Sequence, residues 1–192
     1  MPCPSPLRRL GAPLLVALAA MSVSAATLAE NYNTQGLEHH GDWQSLSVTL
    51  GAERHVRAVQ RASYTDAMLS VNATPGACLR PWLELRSALG AQQPRSDVVN
   101  TVPVDVLIDD HRALSGRAVL TTERGDDGLY LRFDELDVAA LQRQMATGTT
   151  LNLRIRMSDS VADYWFMAFS LDGAGEALER LSLLCASQTG DA

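Results

Sequence analysis

The amino-acid sequence predicts a mainly β fold: an antiparallel β-sandwich with one or two short helices, the C-terminal helix packed on the sheet, and one disulfide. Apolar and polar residues alternate in successive runs, which is the pattern of strands with one buried face. These runs follow one another through turn sequences and not through helices, which favours antiparallel pairing. Near the end of the chain the period of the apolar residues changes from two to about 3.6, which predicts a packed amphipathic helix.

The beginning of the chain, residues 1–26, has the pattern of a signal peptide. Arg8 and Arg9 precede a short apolar stretch at 10–23, and small residues follow it. These features are typical of export signals, and the stretch is shorter than the roughly 20 residues that span a bilayer. We therefore expect a bacterial protein that is periplasmic or secreted, with no stable membrane insertion after signal cleavage.

After cleavage we expect a flexible polar segment at 27–42, a single β-rich domain at 43–186 and a tail at 187–192. A domain of this length can bury a core of its own. Its chain is expected to form eight or nine strands and two short helices.

The first half of the domain is predicted to contain four strands, at 43–50, 56–63, 68–72 and 79–86. Leu46 and Val48 share one face of the first strand, and Arg57 is expected to point to solvent from the second. Pro81 favours an edge position or the start of a strand, because proline cannot donate a backbone hydrogen bond to a neighbouring strand.

The middle of the domain is predicted to contain three strands, at 102–109, 117–122 and 129–133. A turn at 109–112 separates the first two, and the glycine-flanked sequence at 125–128 is typical of a hairpin connection. A short helix is then expected at 134–145. Asp134 or Asp137 is its expected N-cap, because a carboxylate there can accept hydrogen bonds from free backbone N–H groups.

The C-terminal part of the domain is predicted as two strands followed by a helix. Residues 151–157 and 165–171 alternate, with Trp165 and Phe169 assigned to the buried face. Residues 174–184 then show helical spacing, and Cys185 follows at the helix end.

Cys78 and Cys185 are the two cysteines that remain after processing. An even number of cysteines in an exported protein favours a disulfide, and no Cys-x-x-Cys sequence points to a redox-active pair. In the chain-entropy model, closing a loop of about a hundred residues stabilises a fold by roughly 4 to 5 kcal/mol.

The charge composition excludes several classes of function. The net charge is −6 and the chain contains no lysine. A nucleic acid is not an expected partner, because binding phosphates requires surplus positive charge. The absence of lysine excludes mechanisms that need an amine, such as a Schiff base or a phosphate-binding loop. No cofactor is indicated.

The histidines are the first candidate sites. His39, His40 and Asp42 are the candidates for a metal site, although adjacent histidines on a strand point to opposite faces and chelate well only in a loop. His55 and His111 are candidates for acid–base chemistry if carboxylates gather round them. No motif singles out a catalytic residue.

A possible binding surface is the second candidate site. Arg154 and Arg156 lie on the polar face of one predicted strand, and Tyr164 and Phe166 lie on the face of the next strand opposite to Trp165. That face is either covered by the C-terminal helix or exposed for binding. Exposed arginines there would suit an anion or a carboxylate-bearing partner.

Four short segments resemble a known family. They are 41–43 (Gly-Asp-Trp), 153–157 (Leu-Arg-Ile-Arg-Met), 169–174 (Phe-Ser-Leu-Asp-Gly-Ala) and 177–181 (Ala-Leu-Glu-Arg-Leu). Their order of strand, Ser-Leu-x-Gly step and helix resembles the invasion-associated locus B family of small exported bacterial proteins. The resemblance implies a β-rich periplasmic protein without an established catalytic site, and it supplies no catalytic residue.

The leading functional hypothesis is a non-enzymatic periplasmic protein that binds another component of the cell envelope, with a protein as the expected partner. The alternatives are a periplasmic hydrolase and a carrier of a small ligand or a metal. The sequence leaves the oligomeric state open.

Overall fold

A computed structural model describes residues 33–60, 66–94, 100–122, 124, 126–156 and 163–188. These residues form ten strands and two helices. The strands are β1 (Asn33–His40), β2 (Trp43–Leu50), β3 (Glu53–Gln60), β4 (Ala67–Ala73), β5 (Trp82–Ala88), β6 (Asn100–Ile108), β7 (Leu114–Thr121), β8 (Gly128–Asp134), β9 (Thr150–Arg156) and β10 (Tyr164–Ser170), and the helices are α1 (Val138–Met145) and α2 (Ala174–Ser187). Among these residues, neither helix combines the length and the apolar character needed to cross a membrane.

All ten strands belong to one sheet with the order β1-β2-β3-β4-β5-β8-β7-β6-β9-β10, and every pairing is antiparallel. The prediction of a mainly β, antiparallel fold is confirmed. The two layers expected of a sandwich are parts of this one continuous sheet. Strands β1 and β10 are its two edges.

The sheet curves far enough to bring strands near its two edges together. The indole Nε1 of Trp43, in β2, donates a 2.9 Å hydrogen bond to the carbonyl oxygen of Ser170, at the end of β10. The backbone N–H of Asp42 donates to the carbonyl oxygen of Asp172 at 3.0 Å. The inner side of the curved sheet and the two helices therefore enclose one core, to which every strand except β1 contributes buried residues.

In β6 and β9 the alternation that predicted the strands corresponds to this burial, whereas Leu46 and Val48 of β2 are buried in a separate cluster with Val59. The apolar residues on the inner side of β6 and β9 are completely or almost completely buried: Val104, Val106, Ile108, Leu151, Leu153 and Ile155. Burying a side chain of this size stabilises a fold by about 1.5 to 3 kcal/mol. The residues between them point outward, and the candidate binding surface lies among these.

Helix α2 packs on β1 to β4 and closes the inner side of the sheet. Its buried residues lie on one side of the helix: Ala174, Ala177, Leu178, Leu181 and Cys185. Cys185 forms a disulfide with Cys78, in the connection between β4 and β5. The predicted helix on the sheet and the predicted disulfide are both confirmed.

The first helix begins later than the earliest predicted residue. Asp134 belongs to β8, and Glu135 has a left-handed backbone conformation with φ of 57°, which separates the strand from the helix. Asp137 is the N-cap, and its side chain accepts a 2.8 Å hydrogen bond from the backbone N–H of Ala140.

The segment expected to be flexible, 27–42, contains strand β1. Its side chains are exposed from Asn33 to His39, so the strand has no alternation of buried residues from which to predict it. Backbone pairing with β2 holds it in place, and Arg180 of α2 binds Glu38 at 2.5 Å. The structure therefore adds an edge strand where the sequence indicated a loose segment.

Candidate binding surface

Two arginines and two aromatic residues of the predicted binding surface lie side by side on the β9–β10 hairpin. Arg154 is directly opposite Phe166, and Arg156 is directly opposite Tyr164. Their neighbour Ile155 is buried in the core, so these four side chains point to the outer side of the sheet. All four are exposed. We call them the arginine–aromatic face.

The aromatic part of this face is open to solvent. Tyr164 is 49% exposed and Phe166 is 60% exposed. Trp165, which was assigned to the core, is 37% exposed, because β10 is an edge strand with a strand on one side only. Three consecutive aromatic residues therefore contact solvent, and exposed apolar clusters of this kind mark contact surfaces.

Asp105 of β6 connects the face to the neighbouring strands. It lies between Arg154 of β9 and Ser115 of β7 in the register of the sheet. Arg154 donates from Nη2 and Nε to Oδ2 of Asp105 at 2.7 and 3.1 Å, and the Ser115 hydroxyl donates to Oδ1 at 2.7 Å. Nε of Arg156 lies 4.0 Å from the same Oδ2.

These contacts keep Asp105 ionised at neutral pH. Partial burial raises its pKa, but the hydrogen bonds from Ser115 and Arg154 and the charges of Arg154 and Arg156 lower it more. The resulting pKa lies below the ordinary value of 3.8. One carboxylate thus faces two guanidinium groups, and the face keeps an excess of positive charge in a protein whose net charge is −6.

A third arginine extends the positive charge across the sheet. Arg117 of β7 is exposed and lies opposite Pro103 of β6. In the part of the chain that the structure describes, Arg117 has no ion pair. Its neighbour on β8, Asp134, is instead bound by Arg132 at 3.8 Å.

The side chains of the arginine–aromatic face can bind a partner that carries both carboxylates and apolar groups. A guanidinium group can donate two parallel hydrogen bonds to a carboxylate, and an aromatic ring offers a large apolar contact area at its side. Arg154 is already bound to Asp105, whereas among the described residues Arg156 makes only the 4.0 Å contact. Arg156 is therefore the better placed of the two to bind a carboxylate from outside.

The three candidate metal ligands make separate contacts. His39 and His40 are neighbours on β1, and their ring nitrogens lie 3.0 Å from Gln44 Nε2 and 2.8 Å from Ser45 Oγ. Asp42 lies in the turn between β1 and β2. Within the described ranges, no three histidine, cysteine or acidic side chains form a group that could hold a metal ion.

The other two histidines lie on different elements of the fold. His111 is exposed in the turn after β6. His55 on β3 is partly buried, with Glu53 at 3.8 Å and the Trp82 ring in a T-shaped contact, 5.2 Å between the ring centres. Burial lowers the pKa of His55 below its ordinary 6.5, although the charge of Glu53 opposes this.

A buried polar network on the outer side of β3, β4 and β5 was not predicted from the sequence. Arg57 was expected in solvent, but it is only 4% exposed. Its Nε donates a 2.5 Å hydrogen bond to Asn72 Oδ1, and its Nη2 lies 3.6 Å from Glu84 Oε1. Arg124 lies 3.6 Å from the other oxygen of Glu84. The polar residues of adjacent strands could have indicated a network, since they fall on the same side.

The same side of the sheet carries a second polar cluster at β5 and β8. Tyr130 donates a 2.5 Å hydrogen bond to Asp126, and Arg86 forms ion pairs with Asp126 and Asp127. The guanidinium of Arg124 stacks over the Tyr130 ring, 4.3 Å from its centre. Burial and the hydrogen bond to Asp126 raise the pKa of Tyr130, so its hydroxyl stays protonated and remains a donor.

Helices α1 and α2 form an open groove on another side of the molecule. Its lining includes Arg143 from α1 and Glu176 and Glu179 from α2, and it contains no histidine or cysteine. Side chains of both charges line this groove, in contrast to the arginine–aromatic face.

Comparison with known proteins finds a similar fold. The structure resembles the crystal structure of invasion associated protein B from Bartonella henselae, with a TM-score of 0.51 and 16% sequence identity. The likeness covers 78% of this chain and 97% of the other. No family model and no curated protein matches the sequence. At this identity the likeness concerns the fold.

Proposed function

We propose that this chain is an exported protein of the bacterial cell envelope that binds another envelope protein through the arginine–aromatic face and catalyses no reaction. The observation that carries the proposal is the adjacency of Arg154 and Arg156 to two exposed aromatic rings, Phe166 and Tyr164. Arginine and aromatic residues are the types enriched in protein–protein contacts. The surplus positive charge favours a partner surface with carboxylates.

Two further observations support the proposed export to the cell envelope. The first 26 residues have the pattern of an export signal. The Cys78–Cys185 disulfide is compatible with an oxidising compartment, since disulfides form and persist in exported proteins.

Crosslinking in the native envelope tests the proposal. The exported protein would be crosslinked in its own envelope fraction, purified, and its captured proteins identified by mass spectrometry. Capture of a stoichiometric partner is expected with the natural protein. The double variant Tyr164→Ser/Phe166→Ser is expected to lose that partner, because the exposed rings supply its apolar contact.

Two matched controls separate the face from general surface effects. Leu79→Ser removes an apolar side chain that is 98% exposed in a loop, and Arg112→Gln removes an exposed arginine in the turn after β6. Both variants are expected to retain the partner. The ring variant should unfold within about 0.5 kcal/mol of the natural protein, as surface substitutions usually do. Undiminished capture by the ring variant would contradict the proposal.

A further inference from the structure

We infer that the free edge of β10 is a docking site for an extended segment of another protein, which joins the sheet as an additional strand with carboxylates directed to Arg154 and Arg156. The inference rests on the proposed function, because it specifies how the arginine–aromatic face receives its partner. Strand addition to a sheet edge is a common mode of recognition, in which backbone hydrogen bonds give affinity and alternate side chains give specificity.

The edge of β10 is long and regular. All seven of its residues pair with β9 in one unbroken register. On its other side the described chain supplies no strand, and the hydrogen bond from Trp43 occupies only the carbonyl of the last residue, Ser170. Alternate residues of an antiparallel strand direct both N–H and C=O to the same side. With respect to the described residues, the stretch 164–169 therefore offers free donors and acceptors over about 20 Å.

The opposite edge of the sheet, strand β1, differs from β10 because it is protected against pairing. In β1 the register shifts between Gln35 and Glu38, and Gly36 has a positive φ of 62°. Glu38 carries a charge and is bound to Arg180 of α2, which lies against this strand. Bulges, charges and covering elements are the means by which proteins keep sheet edges from pairing.

In the part of the chain that the structure describes, strand β10 has none of these protective features. Its sequence, Tyr-Trp-Phe-Met-Ala-Phe-Ser, contains no charged residue, proline or glycine. Its first three side chains are exposed on both faces of the strand. A regular apolar edge of this kind readily pairs with another strand, so this edge is where we expect the partner to bind.

Charge indicates which kind of strand fits. An added strand would lie about 5 Å from β10 and about 10 Å from β9, within reach of the long side chains of Arg154 and Arg156. A second copy pairing through its own β10 would bring no carboxylate in that strand, and it would bring two more arginines. A strand that alternates apolar residues with Asp or Glu complements both the rings and the guanidinium groups.

A displayed library of random peptides tests this inference without knowledge of the natural partner. The library is selected on the exported protein, with peptides of roughly ten residues, enough to span a strand. We expect enriched sequences that alternate apolar and acidic residues. Each enriched peptide is then synthesised with every second backbone amide N-methylated, which removes donors and leaves the side chains and the protein unchanged. N-methylation in one of the two registers is expected to weaken binding at least about tenfold.

Amide hydrogen exchange gives an independent readout, because an added strand should slow exchange at the outward-facing amides of 164–169 and not in β1. Peptides that tolerate N-methylation in both registers but lose affinity in Arg154→Gln/Arg156→Gln would overturn the edge inference and leave the proposed function standing. If the library yields no enriched peptides, the edge inference is overturned as well. The proposed function would still be tested separately by crosslinking in the envelope. A dimer that protects 164–169 without peptide would identify a second copy as the occupant and overturn the acidic partner.

Discussion

At the scale of single residues, the buried charge of Glu84 is matched by charges of the opposite sign. Glu84 is almost buried between Arg57 and Arg124, with 3.6 Å to each guanidinium. A buried ion pair of this kind adds little to the free energy of unfolding. Removal of the carboxylate alone is costly, because two cations would then lose their counter-charge in a poorly solvated site. The network therefore constrains which residues β5 can carry.

Replacement of Glu84 tests this arrangement. Glu84→Gln keeps the shape of the side chain and removes its charge, so the buried Arg57 would keep its hydrogen bond to Asn72 but lose the carboxylate that faces it. We expect the free energy of unfolding to fall by about 3 kcal/mol, measured by urea denaturation at neutral pH. Glu53→Gln is the control, because Glu53 faces His55 from a side chain that is 63% exposed, and we expect a change below about 1 kcal/mol. Equal effects of the two variants would contradict the argument.

The same residues show how far a pattern in the sequence can be interpreted. Alternation in the second predicted strand correctly placed Arg57 on the side opposite Val56 and Ala58, which are buried in the core. It did not predict that Arg57 itself is buried, because burial of the outer side depends on segments distant in sequence, including Arg124. Arg154 and Phe166 could be placed together, since adjacent antiparallel strands bring them together, whereas Asp105 could not.

At the scale of secondary-structure elements, the connection from β10 into α2 depends on one glycine. Gly173 is the N-cap of α2, has a φ of 80°, and makes no side-chain cap. A Cβ at this position would overlap the carbonyl oxygen of His40. The helix begins where the end of β10 passes the turn between β1 and β2, and a residue without a side chain allows that close approach.

Gly173→Ala is therefore expected to lower the free energy of unfolding by about 2 to 4 kcal/mol, since it combines an unfavourable left-handed conformation with an overlap against backbone. Gly76→Ala separates these two causes. Gly76 has a similar φ of 87°, but a Cβ there would meet no atom within 4 Å, so we expect a loss of about 1 kcal/mol. Denaturation curves of both variants, recorded with the disulfide intact, provide the comparison. Similar losses of unfolding free energy in the two variants would show that the backbone near His40 can move to accommodate the added Cβ.

Strands that are stabilised by backbone pairing alone are harder to predict from sequence than strands that bury apolar side chains. Strands β2 and β6 were predicted nearly to their observed bounds, because Leu46, Val48 and the alternating valines of β6 are buried. Strand β1 was not predicted, since its residues from Asn33 to His39 are exposed. Periodicity also could not indicate that β1 and β10 are the two edges of the described sheet.

At the scale of the whole molecule, the fold depends on pairings between distant parts of the chain. Strand β5 pairs with β8 and β6 pairs with β9, and the curved sheet brings Trp43 to Ser170. A succession of predicted hairpins indicates pairing between strands that are adjacent in sequence. It does not predict these two long-range pairings. One continuous curved sheet and a two-layer sandwich therefore have the same local pattern, and only the long-range pairings distinguish them.

The disulfide is the covalent counterpart of these long-range contacts, because it joins residues 107 apart and attaches α2 to the connection between β4 and β5. In the chain-entropy model, its removal should lower the free energy of unfolding by roughly 4 to 5 kcal/mol. We expect this loss in Cys78→Ala/Cys185→Ala, measured by urea denaturation, and a similar loss in the natural protein after reduction. Agreement between the two would assign the effect to the cross-link, since reduction leaves no cavity at Cys185. A loss below about 1 kcal/mol in the reduced protein would mean that packing of α2 alone closes the core, and that the unfolded chain gains little freedom when the cross-link is opened.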